Sequence, residues 1–140
     1  MKYKIIIVLF LITSCRISFA DPNIDIFLDV YEYTQGNVVY KPQLNDEWKI
    51  HSEIDLSNVD CDGIALWMGG EAIERGVEPS SFWYGIFKYR NEDRYHMAIL
   101  YDKLVIPSSG LQVLDPFMPL DLYLDDTQMD LIESFQLLWE

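Results

Sequence analysis

The sequence predicts a mainly β fold, an antiparallel β-sandwich with at most one or two short helices. Two apolar runs rich in aromatic and β-branched residues, Phe82–Tyr89 and Tyr95–Ile106, flank the polar cluster Asn91-Glu92-Asp93. This pattern is typical of a β-hairpin. Elsewhere, short apolar or alternating segments follow one another at close spacing, with turn residues between them and little helical periodicity. Many short strands joined by turns favour a sandwich.

The first twenty residues are predicted to be a signal peptide. Lys2 and Lys4 precede the apolar run Ile5–Ile12, which is too short to span a bilayer as a helix. Two cleavage sites fit: cleavage after Ala20 leaves residues 21–140, whereas a lipobox ending at Cys15 leaves that cysteine lipidated. Both sites predict an exported protein, located in the periplasm, in the outer membrane as a lipoprotein, or outside the cell. Neither predicts a membrane span, and only the lipobox predicts a lipid anchor.

Residues 21–140 are predicted to form one acidic domain. All 23 acidic residues lie there with seven of the ten basic ones, which gives a net charge of −16. No Lys or Arg occurs from Leu104 to Glu140. Such a field repels nucleic acid and favours basic partners or cations. After Ala20, Cys61 is the one remaining cysteine, so no internal disulfide is expected.

The strands before the hairpin are predicted from alternation or from short apolar runs. They are Asn23–Thr34, Val38–Tyr40, Trp48–Leu56 and Ile64–Met68. A single helical turn is expected at Glu71–Arg75, closed by Gly76. After the hairpin we expect strands at Leu111–Leu114 and Leu120–Leu124.

Two points of the local structure stay open. A three-residue hairpin loop would place Arg90 opposite Arg94, a like-charge pair that a two- or four-residue loop avoids. Residues 127–139 fit either a helix or a closing strand, because Leu131, Phe135 and Leu138 have helical spacing while Phe135, Leu137 and Trp139 alternate.

Part of the chain resembles the jelly-roll domains of the galactose-binding-like superfamily, which includes many carbohydrate-binding modules. The resemblance lies in Ile54-Asp55-Leu56-Ser57 and Asp62-Gly63-Ile64-Ala65-Leu66-Trp67, together with Pro119–Leu122 and Asp130–Leu137. It implies a jelly roll in which residues 130–137 form the closing strand. It also implies a carbohydrate ligand.

The function expected from these observations is that of a non-catalytic binding module that recognises carbohydrate. Trp83, Tyr84 and Tyr101 belong to the central hairpin and are the candidates for stacking on a sugar ring. The alternative is an envelope immunity or inhibitor protein that neutralises a basic toxin or a lysozyme-like enzyme. Its contacts would come from acidic loop residues, namely Glu71, Glu74, Glu78, Glu92 and Asp93.

The sharpest local motif fits either a calcium site or an ordinary turn rich in Asp and Asn. Asn58-x-Asp60-x-Asp62-Gly63 places oxygen donors at alternate positions before a glycine, as a tight Ca²⁺ loop requires. The position of the bidentate glutamate of an EF-hand is occupied by Gly69. A zinc site from His51, His96 and Cys61 lacks close ligand spacing. No cofactor other than structural Ca²⁺ is expected.

Catalysis is not predicted. The sequence has no G-x-S-x-G elbow and no cysteine close to a histidine along the chain. Glu71 and Glu74 have the spacing of a solvated helical face rather than of a glycosidase pair. We therefore expect that the protein is not an enzyme.

Overall fold

A computed structural model describes residues 22–43, 48–101, 112–119 and 127–137. Two helices precede four strands: α1 (Pro22–Asn37), α2 (Cys61–Glu74), β1 (Trp83–Tyr89), β2 (Tyr95–Tyr101), β3 (Gln112–Leu114) and β4 (Met129–Phe135). In this part of the chain the strands form one antiparallel sheet in the order β3-β2-β1-β4. The antiparallel sheet is confirmed. The two-sheet sandwich is wrong, because helices rather than a second sheet cover it.

The central hairpin is confirmed as β1 and β2. Phe87 lies opposite His96, and the backbone N–H of Tyr89 donates to the carbonyl of Arg94 at 3.1 Å. The loop therefore has four residues, 90–93, and Arg90 does not face Arg94. The guanidinium of Arg94 instead lies 4.2 Å from the centre of the Tyr89 ring, which is a cation–π contact.

The predicted first strand, Asn23–Thr34, is helical instead. Phe27, Val30, Tyr31 and Thr34 are buried, and their 3-4-7 spacing marks one face of a helix. The same stretch also alternates between apolar and polar residues, so both periods are present in the sequence. Packing of the helical face decides between them. The expected strand Val38–Tyr40 is reduced to one parallel bridge between Tyr40 and Val59.

The expected strand Ile64–Met68 is the middle of helix α2. Asp60 caps this helix in an extended conformation, and its Oδ1 accepts from the Gly63 N–H at 3.3 Å. The apolar run is nearly continuous because α2 is buried on several sides. The single helical turn expected at Glu71–Arg75 is instead the last turn of this longer helix, which ends at Glu74. The closing glycine is confirmed, since Gly76 has φ +104°.

The other expected strands have mixed outcomes. Trp48–Leu56 contains a short 3₁₀ turn, His51–Glu53, rather than a strand. β3 lies at the position expected for Leu111–Leu114, and residues 127–139 contain strand β4 rather than a helix. The predicted strand Leu120–Leu124 lies outside the described residues.

Both helices pack on the same core. Phe27 of α1, Leu66 of α2 and Tyr84, Ile99 and Tyr101 of the sheet belong to one buried cluster. A second, smaller cluster contains Phe87, Ala98, Leu100, Val113 and Met129. As a result, the N-terminal end of α2 is held against the sheet beside strand β2.

In the described part of the chain, no helix is long and apolar enough to cross a membrane. The predicted signal peptide, residues 1–20, and its lipidation candidate Cys15 lie outside the described residues.

Candidate active site

Cys61 is the first residue of helix α2. The carbonyl of its cap, Asp60, accepts the first helical hydrogen bond, from the Ile64 N–H at 2.9 Å. The thiol is free and half-buried. A thiolate there lies at the positive end of the helix dipole, where negative charge is favoured. The start of α2 thus suits a nucleophilic cysteine.

His96 and Asp115 meet beside this cysteine. His96 is the second residue of β2, and Asp115 follows the last residue of β3, its partner strand. His96 Nε2 lies 2.7 Å from Asp115 Oδ2, and the two side chains are 13% and 2% exposed. Cys61 lies near the same ring: both residues line one cleft, and the thiol helps to raise the pKa of His96. Because Nε2 faces Asp115, Nδ1 is the nitrogen left for Cys61. The three side chains form a Cys–His–Asp triad.

The surroundings of His96 favour its charged form. Burial by itself lowers the pKa of the imidazole, but the hydrogen bonds to Asp115 and Cys61 and their charges raise it more. The result is a pKa of about 9 instead of 6.5. At neutral pH the ring is therefore an imidazolium, paired with an acidic group on each side.

Asp115 is held from both sides. Its Oδ1 accepts from the backbone N–H of Phe117 at 2.7 Å, while Oδ2 faces His96. Helix α1 anchors the same turn, because the Tyr31 hydroxyl donates to the Met118 carbonyl at 2.7 Å. Burial and the charge of Asp115 raise the pKa of Tyr31, so its hydroxyl keeps the proton that it donates. The carboxylate is thus fixed before any substrate arrives.

The segment that follows α1 holds the residues before the cysteine. The Val59 carbonyl accepts from the Lys41 N–H at 2.8 Å, and the Val39 carbonyl accepts from the Val59 N–H at 3.3 Å. Tyr40 lies in the same segment and contacts Phe117 edge-on, with ring centres 6.0 Å apart. Its ring connects the cysteine side of the site to the aspartate side.

An open cleft of about 290 Å³ gives access to the triad. Cys61 and His96 line it together with Asp60 and Asp62, which flank the cysteine. Its remaining walls are largely aromatic and apolar: Tyr40, Pro42, Gln43, Trp48, Ile86, Tyr95 and Met97. A cleft of this size admits a few residues of an extended chain or a small molecule.

The chain shares its fold with LapG of Legionella pneumophila. An EGTA-treated LapG structure superposes with a TM-score of 0.66 at 18% identity, over 80% of this chain and 63% of LapG. A calcium-bound structure gives 0.63 at 19% identity, over 79% of this chain and 64% of LapG. A third LapG structure gives 0.65 at 18% identity, over 79% and 63%. This chain therefore spans less than two thirds of the length of LapG.

Sequence comparisons give no such likeness. No protein-family model and no curated protein sequence matches this chain. The LapG likeness rests on the fold and not on the sequence.

The expectation that the protein is a non-catalytic binding module or an inhibitor is wrong. A glycan or a basic protein as partner stays a prediction. The fold is that of LapG, and the Cys61–His96–Asp115 arrangement opens into a cleft. Tyr84 and Tyr101 are each 1% exposed and pack in the core, so they offer no platform to a sugar. Trp83 packs against the second buried cluster.

The acidic residues predicted to bind a partner lie in separate places, and four of the five form local ion pairs. At the hairpin tip, Glu92 pairs with Arg94 at 3.0 Å and Asp93 with Lys88 at 3.2 Å. At the end of α2, Glu71 pairs with Arg75 at 2.8 Å. Glu74 approaches His51, and the carbonyl of Glu78 accepts from Ser81. They do not converge on the cleft.

The residues of the calcium motif lie next to the cysteine. Asn58, Asp60 and Asp62 line a small cavity of about 20 Å³, which shares Asp60 and Asp62 with the cleft. That volume holds one water-sized particle. A separate group of metal-type donors, His51, Glu71 and Glu74, comes together at the far end of α2.

Sequence reasoning missed the triad because it looked for neighbours along the chain. Cys61, His96 and Asp115 come from a helix start, a strand and the end of another strand. The usable signal was the one cysteine beyond the predicted signal peptide, in a chain that also contains histidines and aspartates, since such partners meet in space and not in sequence. An aspartate cap before Cys61 was the second signal.

Proposed function

We propose that the protein is a cysteine hydrolase that cleaves amide bonds of polypeptides, with Cys61 as nucleophile, His96 as acid and base, and Asp115 as the residue that orients His96. The observation that carries the proposal is the position of His96, which lines the same cleft as Cys61 and lies 2.7 Å from Asp115. This is the arrangement that activates a thiol for attack on a carbonyl. The likeness to LapG is one of fold, and it agrees with a hydrolase.

The reaction has two halves. The Cys61 thiolate attacks the amide carbonyl, and the His96 imidazolium gives its proton to the departing amine, which leaves an acyl group on Sγ. Neutral His96 then takes a proton from water, the hydroxyl adds to the acyl carbon, and the carboxylic acid departs as Cys61 is released. Asp115 keeps the ring oriented through both halves.

The negative oxygen formed at the carbonyl needs donors at the start of α2. The N–H groups of the first helical turn have no carbonyl partner within the helix, and Cys61 lines the cleft. Backbone N–H groups at a helix N-terminus stabilise such an oxyanion. The nucleophile and its oxyanion donor therefore come from the same residue.

Alkylation by iodoacetamide tests the triad without knowledge of the substrate. At pH 6 we expect Cys61 to react about 10²-fold faster than glutathione, because an ordinary thiol is almost wholly protonated there. His96→Gln should bring the rate close to that of glutathione, and Arg90→Gln at the hairpin tip is the control. The rate is read by mass spectrometry of the peptide that contains Cys61. An ordinary rate in the native protein would refute the proposal.

Acylation tests the chemistry itself. p-Nitrophenyl acetate should give a burst of one nitrophenol per protein, and mass spectrometry should place the acetyl group on Cys61. Cys61→Ala should lose the burst while its circular dichroism stays native. A burst that persists in Cys61→Ala would assign the nucleophile elsewhere.

We also propose that Asn58, Asp60 and Asp62 bind Ca²⁺. Three features support this: hard oxygen donors, a cavity the size of one ion, and the calcium-bound form of LapG. A bound cation would neutralise the carboxylates on both sides of Cys61 and hold the start of α2. Calorimetry should detect one Ca²⁺ that Asp60→Asn/Asp62→Asn removes and Asp93→Asn at the hairpin tip does not.

A further inference from the structure

The far end of α2 carries a second group of side chains that can bind a metal ion. His51, in the 3₁₀ turn, lies against the last turn of the helix. Its Nδ1 is 3.2 Å from Glu74 Oε1, and its Nε2 is 3.3 Å from Glu71 Oε2. Glu71 is ten residues from Cys61 along α2, which is about 15 Å of helix. The group is therefore separate from the triad.

The imidazole of His51 is closely packed between Gly70 and Trp67. A Cβ atom at residue 70 would lie 2.5 Å from Cγ of His51, so only glycine leaves room for the ring. The indole of Trp67 forms another wall, with ring centres 5.6 Å apart, and stacks in turn on Tyr33. The His51 side chain is 14% exposed. Its position is thus fixed by packing and not only by charge.

The orientation of the ring points to an ion. Nε2 of His51 is shielded from solvent and makes no hydrogen bond within the described residues, although Glu71 Oε2 is 3.3 Å away. A hydrogen-bonded pair would aim the N–H at the oxygen. Two ligands of one metal instead aim their lone pairs at a common point between them. Such ligands lie close together without an aligned hydrogen bond, as these atoms do.

The distances and donor types fit a transition metal. Ligands about 2.0–2.2 Å from a tetrahedral Zn²⁺ are about 3.3–3.6 Å from each other. The 3.3 Å between Nε2 of His51 and Oε2 of Glu71 fits that range, and one donor atom from each of the three residues lies within 4.8 Å of the others. An imidazole nitrogen with two carboxylates suits Zn²⁺, whereas Ca²⁺ takes oxygen ligands.

The surroundings of the two glutamates also suit a metal site. Arg75 Nε holds the second oxygen of Glu71 at 2.8 Å, which orients that carboxylate in the way that outer-shell partners of metal ligands do. Glu74 is 66% exposed, so the outer side of the site is open to water as a fourth ligand.

From this geometry we propose that His51, Glu71 and Glu74 bind one Zn²⁺ ion. The ion would fasten the segment that contains Trp48, a residue of the cleft wall, to the helix that carries Cys61. The site is separate from the triad, since its ligands include no member of it, and the proposal does not rest on the hydrolase activity.

The test is a Zn²⁺ titration in competition with a chromophoric chelator at pH 7, with Cys61→Ser as the background so that the catalytic thiol does not bind the metal. We expect one Zn²⁺ per protein and no competition from millimolar Ca²⁺. Glu74→Gln, at an exposed position, should weaken binding at least about tenfold, the effect seen even for outer-shell partners. Glu78→Gln, an exposed glutamate beyond the end of α2, is the control.

Two results would overturn the proposal. One is the absence of stoichiometric Zn²⁺ binding by the folded background protein. The other is equal Zn²⁺ affinity in Glu74→Gln, His51→Gln and the control, which would place the ion elsewhere. Because the readout is metal affinity, failure of the site and failure of the hydrolase activity are seen in separate experiments.

Discussion

The Nε2 atom of His96 lies 2.7 Å from Oδ2 of Asp115, although His96 is in β2 and Asp115 follows the end of β3. β2 and β3 pair with Ile99 opposite Leu114, so Asp115 follows the last paired residue toward the beginning of β2. The antiparallel register alone thus brings the carboxylate to the histidine. Helix α2 adds the cysteine from the side.

Replacing Asp115 should separate its two effects on His96. Asp115→Ala removes both the acceptor and the charge, and we expect hydrolysis to fall about 10²-fold. Asp115→Asn keeps an acceptor for Nε2–H and should retain more activity. In both variants the imidazole pKa, followed by NMR, should be lower than 9, and lower in the alanine variant. An unchanged pKa in Asp115→Ala would show that the ion pair is not what raises it.

The charge of His96 predicts how stability depends on pH. Its pKa rises from 6.5 in the unfolded chain to about 9 in the folded protein. The stabilisation, about 3 kcal/mol, is therefore complete below pH 6.5 and is lost as the pH rises through 9. Urea unfolding at pH 6 and pH 10 should show this difference in the native protein. In His96→Gln this component of the pH dependence should be absent.

Tyr31 is a positioning residue that acts through the turn after β3. Tyr31→Phe removes the 2.7 Å hydrogen bond to the Met118 carbonyl and should cost about 1 kcal/mol of unfolding free energy. We also expect slower alkylation of Cys61 and a lower pKa of His96, because Asp115 loses its anchor. Tyr33→Phe, on the same helix with an exposed ring, is the control. A change in stability alone, with the His96 pKa unmoved, would mean that Tyr31 has only a structural role.

The packing of α2 on the sheet depends on Gly69. A Cβ atom there would collide with the hydroxyl and ring of Tyr84, which is 1% exposed. Gly69→Ala should therefore reduce the unfolding free energy by about 1–3 kcal/mol. Gly36→Ala in helix α1 meets nothing within 4 Å and should be neutral or slightly stabilising. Equal effects of the two substitutions in urea unfolding would contradict this packing.

The parts of the fold that sequence could predict are those where local signals and burial agree. The hairpin Phe82–Tyr89 and Tyr95–Ile106 is rich in aromatic and β-branched residues, and β1 and β2 lie within it. The stop of α2 follows from Gly76. In both cases the residue types fit a single backbone conformation.

The two helices were missed because their sequences also fit strands. Asn23–Thr34 alternates as well as repeating at helical spacing, and the apolar run at Ile64 is continuous because α2 is buried on several sides. Periodicity cannot distinguish a buried strand from a buried helix. Because residues 64–68 were predicted as a strand, Cys61 was not expected at a helix N-terminus, the position that favours a nucleophilic thiolate.

Helix α2 carries Asp60 and Asp62 at one end and Glu71 and Glu74 at the other, with Cys61 on its first turn. A helix is stiff along its axis, so whatever holds one end restricts the other. If ions bind at both ends, their affinities are linked, and thermodynamics requires the linkage to be mutual: each ion changes the affinity of the other by the same factor. Through helix α2, the position of Cys61 would then depend on the concentrations of both metal ions.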